Sequence, residues 1–114
     1  MTNKEIATTI LEQLGGRRFV AFTGSKNFIA TEDGGLLMTL ARNASKANRL
    51  RITLTGMDDY NMEFFHYTPW RFSTRGGQYR EYPEKVETVK LYEHVFFDQL
   101  QELFTETTGL YTHF

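Results

Sequence analysis

The sequence predicts an α+β domain in which a mostly antiparallel sheet of about five or six strands carries an N-terminal and a C-terminal helix on one face. Apolar residues recur at helical spacing near both ends of the chain, whereas the middle contains short runs with the two-residue alternation of strands. Helices that flank a run of strands are typical of this class. The 114 residues have the size of one domain, so we expect a single compact domain over 1–114.

The first helix begins at Thr2. Thr2 and Glu5 have the spacing of a capping box, in which each side chain accepts a hydrogen bond from an otherwise unpaired amide. The apolar stripe that follows repeats about every four residues, as expected of a helix packed on a sheet. Gly15-Gly16 ends the helix, because glycine adopts the left-handed cap conformation at little cost.

The next segments predict three short strands. Phe19–Thr23 is rich in aromatic and β-branched residues and is assigned to a strand. Phe28–Thr31 and Leu36–Ala41 form a second and a third strand, joined by Glu32–Gly35, which contains the Asp-Gly pair typical of a hairpin turn.

The central segment Leu50–Tyr67 predicts a β-hairpin. Apolar and polar residues alternate along its first half, and Gly56–Asp59 provides a turn in which Asp side chains cap backbone amides. The second half continues the alternation, with one face formed by Tyr60, Met62, Phe64 and His66.

Two segments after this hairpin are harder to assign. Thr68–Arg80 contains a proline and a glycine pair and predicts either a long loop or a protruding hairpin. Lys85–Leu91 fits a strand or a helix, and its β-branched residues favour a last strand.

The C-terminal helix is predicted from about His94. Gly109 is its expected C-cap, and Leu110–Phe114 is apolar enough to pack back onto the domain. Its buried face is expected to contain Phe96, Leu100, Leu103 and Phe104.

Composition excludes several classes of protein. The chain has no cysteine, so disulfides and thiolate metal sites are excluded, which fits a reducing compartment. No stretch approaches the ~20 apolar residues of a membrane span. The N-terminal segment has acidic residues and no long apolar core, unlike a signal peptide. We therefore expect a cytoplasmic protein that does not contact a membrane.

No catalytic or metal-binding pattern is present, so neither an enzyme nor a cofactor or metal site is expected. A nucleophile elbow is missing. His66, His94 and His113 are far apart in sequence and are interpreted as core or surface residues. Asp58-Asp59 is interpreted as turn chemistry. Gly24-Ser25-Lys26 lacks the first glycine of a phosphate loop.

Charge is unevenly distributed along a chain of net charge −1. Residues 1–80 contain 11 Lys or Arg and 7 Asp or Glu, whereas residues 81–114 contain 2 and 7. This pattern indicates either a molecule with a basic and an acidic side or simply a C-terminal helix with an acidic solvent-facing side.

Nucleic acid is the ligand that the sequence favours. Single-strand binding combines cations that contact phosphates with aromatic rings on which bases stack. The alternative is that the aromatic residues are core and the arginines merely face solvent. The candidate residues are a basic track of Arg42, Lys46, Arg49 and Arg51, and a second group of Trp70, Arg71, Phe72, Arg75, Tyr79, Arg80 and Tyr82.

The chain also contains three distinctive segments: LGGRRFVAFTGSKNF, ARNASKANRLRITLTGMDDYNMEF and VFFDQLQELFTETTGLYTHF. On these segments it resembles a family of small uncharacterised proteins encoded by bacterial phages, prophages and related mobile elements. The resemblance covers nearly the whole chain and is weakest from Thr68 to Glu84. It implies an origin in a mobile element of a bacterial host and assigns no activity and no functional residue.

Two functions follow as expectations. The first is a non-enzymatic accessory binding protein of a mobile element that contacts DNA or RNA through the basic and aromatic residues above. The second is a protein-binding inhibitor or adaptor, for example an anti-defence protein, or a homo-oligomeric scaffold. Its aromatic residues would then form the centre of an interface with a host or element-encoded protein.

Overall fold

The computed structural model describes residues 1–112 and has an α+β architecture. Its helices are α1 (Asn3–Leu14), α2 (Arg17–Thr23) and α3 (Leu100–Thr108). Its strands are β1 (Lys26–Thr31), β2 (Gly35–Thr39), β3 (Arg49–Leu54), β4 (Tyr60–Thr68), β5 (Arg71–Ser73), β6 (Arg80–Tyr82) and β7 (Lys85–Val95). The predicted fold class is confirmed.

Five strands form an antiparallel sheet in the order β1-β2-β3-β4-β7, and β5 and β6 form a separate two-stranded sheet. The register aligns alternate residues of neighbouring strands on one face, which α1 and α3 cover. Each strand contributes apolar side chains to this face because the two-residue alternation predicted for the hairpin holds. The core contains Ile10, Leu14, Phe19, Leu36, Met38, Leu50, Ile52, Met62, Phe64, Leu100 and Phe104.

Local signals fix several boundaries as predicted. Thr2 is the N-cap of α1, and its side chain accepts a hydrogen bond from the Glu5 amide at 3.2 Å. Gly34 at φ 85° closes the β1–β2 turn, and Gly109 at φ 75° is the C-cap of α3. The central hairpin of β3 and β4 is also confirmed, with Asp58 at φ 61° in its turn.

The prediction of a strand at Phe19–Thr23 is wrong, because this segment is helix α2. Gly16 and Gly24 delimit it with φ values of 59° and 68°, and the Gly24 amide donates to the Val20 carbonyl. One helical turn brings Phe19 and Thr23 to the same buried side. Packing of this side against the core therefore overrides the strand preference of its aromatic and β-branched residues.

The predicted start of the last helix at about His94 is also wrong. Strand β7 continues to Val95, which pairs with Tyr60, and α3 begins at Leu100 after a 3₁₀ turn. Phe96 is 58% exposed and does not share the buried face of α3. The strand assignment for residues 85–91 is confirmed. Of the predicted C-terminal packing segment, residues 113 and 114 lie outside the described residues.

The segment between β4 and β7 is a protruding hairpin. This is one of the two alternatives that the sequence predicted; the other was a long loop. We call residues 69–84 the arm; it contains β5, a 3₁₀ turn and β6. Nearly every side chain of the arm is exposed. The molecule is correspondingly elongated, measuring 53 × 31 × 22 Å.

Candidate nucleic-acid interface

The arm has two chemically different faces, because side chains of a strand alternate between the two sides. Arg71 pairs with Tyr82 and Ser73 with Arg80, so these four residues share one side. Phe72 pairs with Glu81 on the other side. This thin two-stranded ribbon thereby separates Phe72 from Arg71 and Arg80. Tyr82 is an aromatic residue that shares the side of the arginines.

We call the first side the arginine face: Arg71, Arg75 and Arg80 line a cavity of about 390 Å³ there. No carboxylate lines this cavity, and none of the three arginines forms an ion pair with a carboxylate of residues 1–112. The Arg71 guanidinium lies 4.2 Å from the centre of the Tyr82 ring, which fixes its orientation. Three unneutralised guanidinium groups around one concavity form a site of positive potential.

We call the second side the aromatic face: it contains Trp70, Phe72 and Tyr79 in a row. Ring centres are 5.5 Å apart between Trp70 and Phe72 and 6.0 Å apart between Phe72 and Tyr79. Trp70 Nε1 donates to Glu81 Oε1 at 2.7 Å. The three residues are 48%, 56% and 63% exposed, so their rings remain available to a partner.

Arg49 and Arg51 lie elsewhere, on the side of the five-stranded sheet opposite α1 and α3, which we call the open face. The Arg49 guanidinium is 5.3 Å from the Tyr67 ring centre, and that of Arg51 is 5.4 Å from the Phe65 ring centre. Arg51 also forms an ion pair with Glu63 at 3.6 Å. These two arginines line a separate cavity of about 240 Å³ that shares no residue with the arginine face.

Arg42 and Lys46 lie in the loop between β2 and β3, and both side chains are exposed. Asn43 holds this loop through hydrogen bonds to the carbonyls of Ala41 and Ala47. Lys46 lines another cavity with His66 and Glu87. The four residues of the predicted basic track therefore lie in two places, the open face and this loop, and the arginines of the second predicted group lie in the arm.

A pair that the sequence analysis did not recognise joins Asp59 to His94. His94 Nδ1 lies 3.0 Å from Asp59 Oδ2, and Thr55 donates to the other carboxylate oxygen. The Thr55 hydrogen bond, followed by that of His94, holds the pKa of Asp59 below its usual value. The two residues are 35 positions apart and meet because Tyr60 pairs with Val95, so no motif spacing signals the contact.

Residues 1–112 contain neither a metal-binding cluster nor a membrane-spanning helix. No group of three or more His, Cys, Asp or Glu side chains within this range is arranged to hold a metal ion. None of the helices there combines the length and the apolar composition needed to cross a membrane. His113 lies outside the described residues.

Comparison with known proteins yields no match: no family profile, no curated protein and no solved structure is detectably similar to this chain. The site itself is therefore the basis for a functional proposal.

Proposed function

We propose that this chain is a non-enzymatic accessory binding protein of a phage or related mobile element, and that it contacts nucleic acid through the arginine face of the arm. The observation that carries the proposal is the cavity lined by Arg71, Arg75 and Arg80 without a carboxylate among its lining residues. Like charges held around one concavity repel each other, so an anion between them stabilises the arrangement.

The guanidinium groups favour phosphate among anions. Arginine presents a planar fork of donors that matches the oxygens of a phosphate in a bidentate manner. The arm is long and exposed on both sides, so a polymer can run across the cavity without meeting the body of the protein. The overall charge of −1 gives no general attraction for polyanions, so binding depends on this local concentration of arginines.

The proposal is tested by fluorescence polarisation with labelled single- and double-stranded oligonucleotides at ~50 and ~200 mM salt. We expect Arg71→Glu/Arg75→Glu to weaken binding by more than about tenfold at the lower salt concentration. Loss of two phosphate contacts should also make the slope of log K against log[salt] less steep, by about 1.4 for single strands and about 1.8 for duplexes.

The matched control is Arg17→Glu/Arg18→Glu. These two arginines are exposed on α2, outside the arm, and their reversal changes net charge by the same amount. If both double variants lose affinity equally, only net charge matters and the arm is not the site. Equal affinity of the wild-type protein and the Arg71→Glu/Arg75→Glu variant for oligonucleotides would also reject the arm as the site.

The aromatic face favours a second candidate, a protein-binding inhibitor or adaptor. Tryptophan and tyrosine dominate the energetics of protein interfaces, and three exposed rings form one contiguous patch here. This function predicts a stable complex, with a host or element-encoded protein or a second copy, that Phe72→Ser/Tyr79→Ser fails to form. It also predicts little response of the wild-type protein to oligonucleotides.

A further inference from the structure

We infer that the open face of the five-stranded sheet binds unpaired bases, and that Arg49 and Arg51 are the surfaces on which those bases stack. The inference rests on the proposed function and deepens it, because it names single-stranded nucleic acid as the ligand. The arginine face of the arm would bind phosphates, and the open face would bind bases.

The register of the sheet defines the open face. Across β2, β3 and β4, Leu37 is paired with Arg51 and Arg51 with Glu63. In the adjacent row Arg49 is paired with Phe65. Among the described helices, the two that pack on the sheet, α1 and α3, lie on its other side. The open face is thus a solvent-facing surface that combines cations and aromatic rings on the same side.

The two arginines are layered on aromatic rings. Arg49 lies over Tyr67 and Arg51 over Phe65, at 5.3 and 5.4 Å from the ring centres. The ring below restricts each guanidinium, so little conformational entropy remains to be lost on binding. Phe65 is only 5% exposed, so Arg51, whose side chain is 43% exposed, presents the accessible flat surface. Unpaired bases stack on guanidinium planes as they do on aromatic rings.

The spacing of the two platforms selects an extended strand. Arg49 and Arg51 are two residues apart on one strand, which separates their Cα atoms by about 6.7 Å along the sheet. Both guanidiniums lie over rings on the same side of the sheet, so bases stacked on them lie side by side. Two neighbouring bases that occupy both platforms are therefore no longer stacked on each other, a state that a single strand adopts more readily than a duplex.

Carboxylates near the two arginines make the open face less suited to binding phosphate than the arm is. Glu63 forms an ion pair with Arg51 and accepts a hydrogen bond from Thr88 at 2.7 Å. Glu84 lines the cavity beside Arg49. The open face is therefore close to electrically balanced, so its contribution to binding depends on the planar shape of the two guanidiniums more than on their charge.

The discriminating variant is Arg49→Lys/Arg51→Lys, which keeps both charges and removes both planes. We expect its affinity for a single-stranded oligonucleotide to fall about tenfold, because stacking contributes substantially per base. Duplex affinity and the salt dependence should stay unchanged. Arg17→Lys/Arg18→Lys is the matched control. The single variant Arg49→Lys leaves the Arg51–Glu63 ion pair intact, so a loss of single-strand affinity in this variant does not come from disruption of that ion pair.

Single-strand affinity that is unchanged in Arg49→Lys/Arg51→Lys would overturn the inference, as would an equal loss for single strands and duplexes. The arm variant Arg71→Glu/Arg75→Glu is measured in parallel. If it binds normally while the lysine variant loses single strands, the arm assignment fails and the open face stands. If only the arm variant loses affinity, the open-face inference fails and the proposed function stands. Absence of oligonucleotide binding by the wild-type protein rejects both.

Discussion

At the scale of single residues, Asp59 shows how a turn residue acquires a tertiary role. Its neighbour Asp58 is exposed and has a positive φ of 61°, a conformation that aspartate tolerates in turns. Asp59 instead is buried and accepts hydrogen bonds from Thr55 and His94. It thereby ties the β3–β4 turn to β7, whose His94 also has a positive φ of 56°.

This contact predicts a pH-dependent stability. Hydrogen bonds to the ionised carboxylate lower the pKa of Asp59 from its ordinary value of 3.8. The unfolded chain then binds a proton more readily than the folded one, so the stabilisation is present above pH 3.8 and is lost as pH falls through the lower folded value. We expect Asp59→Asn to lower the melting temperature at pH 7 by several degrees.

The difference in melting temperature between wild-type protein and Asp59→Asn should shrink below about pH 3.8. Thermal unfolding followed by circular dichroism from pH 3 to pH 7 measures it. Asp58→Asn is the control and should have little effect, because asparagine tolerates a positive φ. A constant difference across this pH range would contradict the assignment.

At the scale of elements, the arm is an appendage whose own chemistry differs from that of the body. The β4–β7 ladder ends at the pair Thr68 and Lys85, and the arm begins directly beyond it. Strands β5 and β6 pair only with each other. The residues of the arm are exposed apart from the half-buried Ser73, so the arm contributes little to the hydrophobic core.

Replacing residues 69–84 by Asn-Gly should therefore leave the body folded. Thr68 and Lys85 are directly opposite each other, so a two-residue hairpin turn closes the ladder in its existing register. We expect cooperative unfolding at a melting temperature near that of the full chain, with loss of duplex binding and weaker binding of single strands, for which the open face remains. Non-cooperative melting would show that the body depends on the arm, and undiminished duplex binding would place the phosphate-binding site outside it.

At the scale of the whole molecule, the N-terminal and C-terminal helices pack into the same hydrophobic core as the sheet. Phe104 of α3 is fully buried, with its ring centre 4.8 Å from that of Phe19 in α2 and 6.2 Å from that of Phe64 in β4. The three rings connect the C-terminal helix, the second helix and the centre of the sheet. Removal of the central ring leaves a cavity that neighbouring elements cannot easily fill.

Phe104→Ala should lower the free energy of unfolding by about 3–5 kcal/mol. Phe96→Ala is the matched control, because it also removes a phenylalanine side chain but at a position that is 58% exposed. It should lower the free energy of unfolding by less than about 0.5 kcal/mol. Chemical denaturation of both variants measures the difference. Similar losses for the two would mean that Phe96 shares the core face that the helical pattern alone predicts.

The sequence by itself determined the elements whose signals are local. The N-cap at Thr2, the Asp-Gly turn before β2 and the alternation in β3 are predicted correctly, because each depends on residues within a few positions of one another. The alternation of Trp70, Arg71 and Phe72 also determined that the cation faces away from its two aromatic neighbours once the arm is a hairpin.

Only the tertiary structure decided what depends on distant partners. Helix α2 forms because Phe19 packs on Phe104, 85 positions later along the chain, against its local strand preference. Arg71 and Arg80 come together through the β5–β6 pairing, while the β3–β4 pairing places Arg49 and Arg51 over aromatic rings of β4. The distances between these side chains cannot be read from local spacing in the sequence, because long-range strand pairing and burial determine them.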